Sequence, residues 1–466
     1  MTDHWQENTA ARAGIDLFTA WVDAQRAYKN LPGLAAGVVV GQELVWAQGF
    51  GYADVARQIP ATPDTIYRIA SITKLFTAVA IMQLRDAGKL QLDDPVAGHL
   101  PWFHIQNPYA DAPPITIRHL LTHTAGLPRE AQFPYWTDGK FPTVNQIQES
   151  VGQQATAVPT ETRFKYSNLG LFLAGAIVAQ VANLPYETYV QEHVLRPLGM
   201  SNTFVETVNP HHERLAVGYG RRLPGKLERD IMPFTDCQGI GPAANMATTV
   251  ADLARFASFH LGDGTAGENR LLRQSTLREM QRVHWLFPDW QSGWGLGFSI
   301  ARQHNKTFIG HGGAVLGYRT QLRLCPAEGT AVIVLTNADD GDPLAYVEKL
   351  YQWVVPPMLA AIRPSPTPTP PDPAWQRYVG KYRDAWGDMQ ILLHHGVLTA
   401  VDPSQPDPLL ATLRFIPVGE HTFRMETENG FLSPDELAVF EVDEGGDGRV
   451  TRVRLGNTFM ERVEGW

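Results

Sequence analysis

The sequence predicts an α+β fold in which one antiparallel sheet draws its strands from both ends of a large domain, with a smaller all-β unit appended. Three observations carry that prediction. Apolar runs with strand character lie before residue 50 and again between residues 297 and 336, the stretch between them is mainly helical in pattern, and a proline-rich segment then precedes a series of short alternating runs.

Ala36–Val40 and Leu44–Trp46, parted by Gly41-Gln42-Glu43, read as a β-hairpin. A helix opens at Ser71, keeps its apolar period from Leu75 to Leu84 and ends near Gly88. From about Asp93 to Trp290 helices dominate, most clearly at Leu169–Val181, Glu187–Leu195, Val250–Leu261 and Ser275–Val283. Strands return at Gly297–Ala301, Thr307–Gly310, Tyr318–Leu324 and Ala331–Thr336. A helix near Leu344–Val355 closes a domain expected over residues 1–362.

The run from Arg363 to Pro373 alternates proline with serine and threonine, so residues 363–374 are expected to form an extended, fairly stiff linker. Beyond it, strand-like runs fall at Tyr378–Tyr382, Met389–Leu393, Val397–Val401, Leu410–Phe415, Thr422–Met425, Leu437–Val442, Val450–Leu455 and Phe459–Val463. Such a number of up-and-down strands predicts a small closed antiparallel barrel over residues 375–466.

Chemistry enters at Ser71-Ile72-Thr73-Lys74, where a hydroxyl and an amine sit one helical turn apart on one face. Unpaired N–H groups and the positive dipole end at a helix start favour a developing alkoxide and bias the lysine toward its neutral, proton-accepting form. The Ser71 N–H also suits an oxyanion hole. S-x-x-K is a short pattern, and two later motifs give it weight. Tyr166-Ser167-Asn168 stands directly before a second apolar helix, and His311-Gly312-Gly313 lies in a glycine-rich, strand-like stretch. Other copies have ordinary readings. Tyr28-Lys29-Asn30 falls in an N-terminal amphipathic segment, and His260-Leu261-Gly262 is a helix end with its glycine cap.

The ordered triple resembles the serine β-lactamase and penicillin-binding protein superfamily. Within it the likeness is to the class C-like group of DD-carboxypeptidases, D-aminopeptidases, D-amino-acid amidases and family VIII carboxylesterases. Class A members carry S-D-N and K-T-G after S-x-x-K; here Tyr166-Ser167-Asn168 looks like the Y-x-N of the class C branch, and His311-Gly312-Gly313 stands where lysine-threonine-glycine is usual. Gly49-Phe50-Gly51-Tyr52-Ala53-Asp54, the stretch from Leu120 to Leu127 and Gly293-Trp294-Gly295-Leu296-Gly297-Phe298 fit the same group, so the resemblance covers roughly residues 10 to 360. It implies a β-lactamase/transpeptidase-like domain, an antiparallel sheet flanked by helices with a helical subdomain. The C-terminal part resembles the lipocalin-like domain appended to some D-aminopeptidase relatives.

The resemblance also implies roles. Ser71 would be acylated and deacylated, with Lys74 and Tyr166 sharing the base role; which of them holds the proton is left open. Asn168 would hydrogen-bond both Lys74 and the acyl-amide oxygen, while the N–H groups of Ser71 and Ala314 would receive the oxyanion. His311 would face the cleft and position a leaving group or substrate carboxylate, and Gly312 and Gly313 would leave room for substrate along the strand. His123 reads as a scaffold residue bonded to a turn. Phe133, Pro134, Tyr135 and Trp136, and further on Trp285, Phe287 and Trp290, could wall an apolar acyl or alcohol pocket or simply fill core. Loss of the third-motif lysine removes a fixed cation, so esters, or amides and short peptides with D-residues, lead over β-lactams. The alternatives are a weak β-lactamase and a penicillin-recognising sensor acylated without turnover.

With 44% hydrophobic and 19% charged residues, 12 Trp and 20 Phe, the chain has material for a large core. A formal charge of −9 without long runs of one sign gives no case for nucleic acid or an anionic membrane, so the expected partner is a small ester, amide or peptide; a homo-oligomer is left open. No cofactor or metal is expected. His211-His212-Glu213 lacks the H-E-x-x-H spacing, and neither a G-x-S-x-G elbow nor a nucleotide-binding G-x-x-x-x-G-K-[ST] loop occurs. The first eight residues carry no basic or apolar leader region, and only Cys237 and Cys325 occur, so a reduced, cytoplasmic protein is expected.

Overall fold

Helix α1 (Thr9–Lys29) starts where Asn8 accepts from the amides of Ala10 and Ala11, both at 3.0 Å, and stops at Asn30, which adopts the left-handed conformation. The chain then enters β1 (Gly33–Val40), turns, and returns as β2 (Glu43–Asp54) and the short β3 (Ile59–Pro60). In this computed structural model residues 4–226, 228–363, 372–409, 412–427, 429–430, 432–443 and 448–465 are described. They fall into two compact units, Met1–Arg363 and Pro364–Trp466. Of the expected linker, residues 364–371 lie outside the described residues.

The first unit continues through helices α2 (Thr73–Asp86), α3 (Asn168–Ala182) and α4 (Val250–Leu261). Its later strands are β4 (Trp285–Leu286), β5 (Ser292–Trp294), β6 (Ser299–Gln303), β7 (Lys306–Val315), β8 (Tyr318–Cys325) and β9 (Thr330–Thr336). Together with the hairpin they form a sheet in the order β3-β2-β1-β9-β8-β7-β6-β5-β4. The join is antiparallel, Leu34 facing Thr336 and Val40 facing Thr330. An α+β fold with one sheet fed from both ends is therefore what the chain adopts.

Every residue of β1 and of β9 is buried, because the sheet is covered on both faces. Leu34, Ala36 and Val38 with Val332 and Val334 pack toward α1 and the helices Pro343–Lys349 and Val355–Ile362. Ala35 and Val39 with Ile333 and Leu335 belong to the opposite core, which also contains Leu75, Phe76 and Val79 of α2 and Leu169, Leu171 and Leu173 of α3. That helical layer holds Lys74 and Asn168, whereas His311, Gly312, Gly313 and Ala314 lie on β7.

Boundaries differ from expectation at several elements; the strand expected at Leu44–Trp46, for one, runs on to Asp54. Strand β7 does not stop at Gly310 but runs to Val315, since His311, Gly312, Gly313 and Ala314 pair with Leu322, Gln321, Thr320 and Arg319 of β8. The helix expected at Ser275–Val283 occupies Gln274–Gln281, and Arg282 beyond it is already extended.

In the second unit β10 (Gly380–Arg383), β11 (Asp388–His394), β12 (Val397–Val401), β13 (Leu413–Gly419), β14 (Thr422–Glu426), β15 (Leu437–Val442), β16 (Val450–Leu455) and β17 (Thr458–Val463) close a barrel. Closure comes from Lys381 of β10 facing Val463 of β17. Of the run expected at Leu410–Phe415, residues 410 and 411 lie outside the described residues. Aromatic rings fill the interior: Phe440 meets Phe415 at 5.7 Å and Phe423 at 5.5 Å between centroids. Among the described residues no single helix is long and apolar enough to cross a membrane.

Candidate active site

The Ser71 turn is set by three neighbours. Ala70 takes a left-handed φ of 47°, a strained conformation for a residue with a Cβ, and opens a 3₁₀ turn, Ala70–Ile72, that leads into α2. Ile69 donates its amide to the Met246 carbonyl at 2.9 Å, and its own carbonyl accepts from Thr320 Oγ at 3.3 Å. Strand β7 passes so close that a Cβ on Gly313 would lie 2.1 Å from the Ile69 oxygen. Only glycine fits there.

One turn on, Lys74 is wholly buried, with Nζ donating to Ser71 Oγ at 3.1 Å and to the Ala243 carbonyl at 2.8 Å. Burial drives its pKa down to about 7; the Glu130 carboxylate opposes the shift and the Arg129 guanidinium adds to it. Lys74 Nζ also sits 4.9 Å from the centre of the Tyr166 ring, and the Tyr166 hydroxyl shares a hydrogen bond with the Ser71 side chain. Burial pushes the Tyr166 phenol well up from its ordinary value, against the opposing effect of that hydrogen bond and of Arg129.

Tyr166 and Asn168 are placed by the cap of α3. Ser167 Oγ accepts from the Gly170 amide at 2.9 Å and donates to the Pro128 carbonyl at 2.6 Å, and the Asn168 amide donates to the Arg129 carbonyl at 2.7 Å. The turn is thereby pinned to the loop at 128–130. His123 completes the support: its Nδ1 accepts from the Ser167 amide at 3.2 Å and its ring lies 4.3 Å from that of Tyr166. His123 is the turn-bonded scaffold residue the sequence suggested. Burial, with the Lys74 and Arg129 charges, holds its pKa well below the ordinary value.

Asn168 is oriented differently from expectation. Its Nδ2 donates to Glu130 Oε1 at 2.7 Å, and Lys74 makes its hydrogen bonds to Ser71 and Ala243 instead of to Asn168. The Glu130 carboxylate also accepts from the Tyr135 hydroxyl and lies 3.4 Å from Arg129 Nε. The sequence reading missed Glu130 and Arg129; they come just after the Leu120–Leu127 stretch with no spacing to mark them.

His311 is buried on β7 with Nδ1 2.6 Å from the Gly312 carbonyl. A carbonyl only accepts, so the proton sits on Nδ1 and Nε2 presents a lone pair. Burial, reinforced by Lys74, pushes its pKa down to about 3, keeping the ring neutral.

Ser71, Tyr166, Asn168, His311, Gly312, Gly313 and Ala314 line one cleft of about 700 Å³, and Lys74 lies beneath it. Arg129, Trp136 and Arg319 share the walls, the last paired with Asp339 at 3.2 Å. Of the aromatic residues expected to wall a pocket or fill core, Trp136 is at the cleft, Tyr135 is core, and Trp290 is 79% exposed. A larger open concavity of about 960 Å³ near the β6–β7 turn contains none of the expected site residues. Two of its charged side chains are already engaged, Arg323 with Gln303 at 2.6 Å and Lys306 with Glu328 at 2.6 Å. Among the described residues no cluster of His, Cys, Asp or Glu suits a metal ion.

Comparison with known proteins bears on the family and the fold. Beta-lactamase-like protein 2 of Dictyostelium discoideum is 32% identical over 298 residues, 62% of this chain and 53% of that protein. Protein flp of Staphylococcus aureus is 29% identical over 325 residues, 69% of this chain and 62% of its own length. The chain thus spans between half and two thirds of these relatives. The structure of the octameric penicillin-binding protein homologue from Pyrococcus abyssi superposes with a TM-score of 0.61 at 22% identity, covering 96% of this chain and 99% of that one, so the fold is shared along both units. Residues 18–355 match the family model described as Beta-lactamase, and the chain belongs to that family.

Proposed function

We propose that the chain is a serine hydrolase that cleaves esters or amide and peptide bonds through an acyl-enzyme on Ser71, with the catalytic domain at residues 1–362 and residues 375–466 as an appended barrel. The observation that carries this reading is a wholly buried Lys74 amine 3.1 Å from the Ser71 hydroxyl, its pKa brought to about 7. A neutral amine there takes the Ser71 proton as Oγ attacks the substrate carbonyl. The N–H groups of Ser71 and Ala314 face the oxyanion, the tetrahedral adduct collapses, and the leaving group departs with a proton returned from Lys74. Water then repeats the sequence on the acyl-enzyme, releasing the acid and restoring Ser71 and Lys74.

Burial disfavours the Tyr166 phenolate, which favours Lys74 as the base and leaves Tyr166 as a neutral hydroxyl that passes the proton on. In place of the third-motif lysine stands a neutral His311, which favours esters and amides over carboxylate-anchored β-lactams. Intact-mass spectrometry after mixing with p-nitrophenyl acetate tests the core of the proposal. An acetyl adduct should appear on the Ser71 peptide, decay with release of acetate, and be absent from Ser71→Ala. A panel of p-nitrophenyl esters, a D-alanyl anilide and a chromogenic cephalosporin then ranks the substrate classes, and a penicillin adduct that persists for hours without product would select the sensor alternative.

A further inference from the structure

Between the β6–β7 hairpin and the helical turn at 348–352 lies the open concavity of about 960 Å³, away from Ser71. Arg302, Lys306, Arg323 and Lys349 line it, and Glu348 is the lining carboxylate among the described residues. On a chain whose formal charge is −9, that is a local reversal of sign.

Strand register puts the central groups on one face. Lys306 and Phe308 lie two apart on β7, Gln303 is the partner of Lys306, and Arg323 is the partner of Gly310, so their side chains share one side of the sheet. Arg323 is only 6% exposed, with its guanidinium 4.2 Å from the centre of the Phe308 ring and its carbonyl accepting from the Tyr351 hydroxyl at 3.1 Å. A guanidinium carries five N–H donors, and among the described residues this one uses a single donor, Nη2 to Gln303 Oε1 at 2.6 Å. The Glu348 carboxylate stays 3.9 Å from Nη1, beyond hydrogen-bond reach. Burial pushes the Arg323 pKa down despite that carboxylate, so the charge has lost water without gaining a matching anion.

The neighbouring cations leave the same gap. Lys349 Nζ meets the neutral Gln352 amide at 2.9 Å and the Trp353 ring at 4.9 Å. Among the described residues neither Lys349 nor Arg302 has a carboxylate partner; Lys306 has one in Glu328, at 2.6 Å.

We propose that this concavity is a second ligand site that takes a small multivalent oxyanion, a phosphate-bearing or polycarboxylate molecule, on the unused N–H groups of Arg323 with Lys306 and Lys349 beside it. The planar guanidinium fork matches two oxygens of a phosphate or carboxylate, and the lysines supply point charges around it. At about 3.3 Å a residue along β7, Lys306 at the concavity lies about 20 Å from Gly312 at the cleft. The site is therefore independent of the Ser71 reading.

Calorimetric titration of the full chain with pyrophosphate and with citrate, at one ionic strength held with sodium chloride, tests it. At least one of the two should bind saturably, one per chain, with a Kd of about 1 mM or tighter. Arg323→Met should weaken that binding about tenfold or more, and the double variant Lys306→Gln with Lys349→Gln severalfold. The double variant decides the matter if Arg323→Met does not fold. Ser71→Ala and Arg129→Met, both altered at the cleft, should bind as wild type does. A tighter pyrophosphate assigns a phosphate-bearing ligand, a tighter citrate a polycarboxylate. Saturable binding of neither anion, binding that the concavity variants leave unchanged, or binding lost in Arg129→Met instead overturns the inference.

Discussion

A Cβ on Gly313 would lie 2.1 Å from the Ile69 carbonyl and 2.2 Å from Thr320 Oγ, so the third motif and the nucleophile turn are in backbone contact. On Gly312 the same atom would meet the movable end of Gln321 at 2.9 Å. Gly313→Ala must displace the Ser71 turn, and its kcat/KM should fall at least about a hundredfold with a loss of about 1–3 kcal/mol in stability. Gly312→Ala should melt close to wild type. Thermal melts and ester kinetics on the pair check this.

Replacing the nucleophile and its base should separate chemistry from folding. Ser71→Ala should lower ester turnover by about a thousandfold or more with the melting temperature nearly unchanged. Lys74→Met should lose comparable activity yet melt at or above the wild-type temperature, because it exchanges a desolvated amine for an apolar chain of similar length.

The pH profile comes from Lys74. Its pKa in the fold is about 7, so the proton-accepting amine is the minor form below that pH and the major form above it; kcat/KM should rise with pH, with a half-point near 7. Arg129 helps hold that pKa down, so Arg129→Met should move the half-point to higher pH. The linkage has a definite sign. An unfolded chain protonates this lysine near its ordinary 10.5 and the folded one only near 7, so the buried amine weighs increasingly against folding as pH falls through that window. A pH series of initial rates, paired with denaturant melts of wild type and Lys74→Met, measures both effects.

His123 supports Tyr166 without entering the cleft. His123→Ala removes the acceptor of the Ser167 amide and the tilted ring 4.3 Å from that of Tyr166. About tenfold should be lost from kcat, with a stability loss of about 1–3 kcal/mol. Steady-state kinetics and thermal melts report the two.

In the barrel, Phe440 meets Tyr378 at 4.5 Å and Tyr382 at 6.2 Å as well as Phe415 and Phe423. Phe440→Ala should cost the barrel about 3–5 kcal/mol. Hydrogen exchange at the amides of β14 and β15 would show it, and unchanged protection there would count against a packed interior.

Much of this architecture was legible in the chain. The spacing of Ser71 and Lys74 dictates one helical turn, the alternation in residues 375–466 spells out barrel strands, and Ser167 directly before a long apolar run is a helix cap. Asn168 was legible in place but not in orientation, because what turns its amide is Glu130, 38 positions earlier and brought near by the Ser167 bond to Pro128. The strained φ of Ala70 was likewise invisible, since tertiary contacts impose it on a residue that has no preference for it. The extension of β7 through two glycines ran against strand propensity and was fixed by its partner strand.

The seam between β1 and β9 joins residues almost three hundred positions apart. During synthesis the early hairpin emerges with the flank of β1 unmated, and it stays so until nearly the whole first unit has left the ribosome. A newborn chain therefore carries an apolar edge able to pair with its neighbours, and slow translation or crowded expression should favour aggregates over yield.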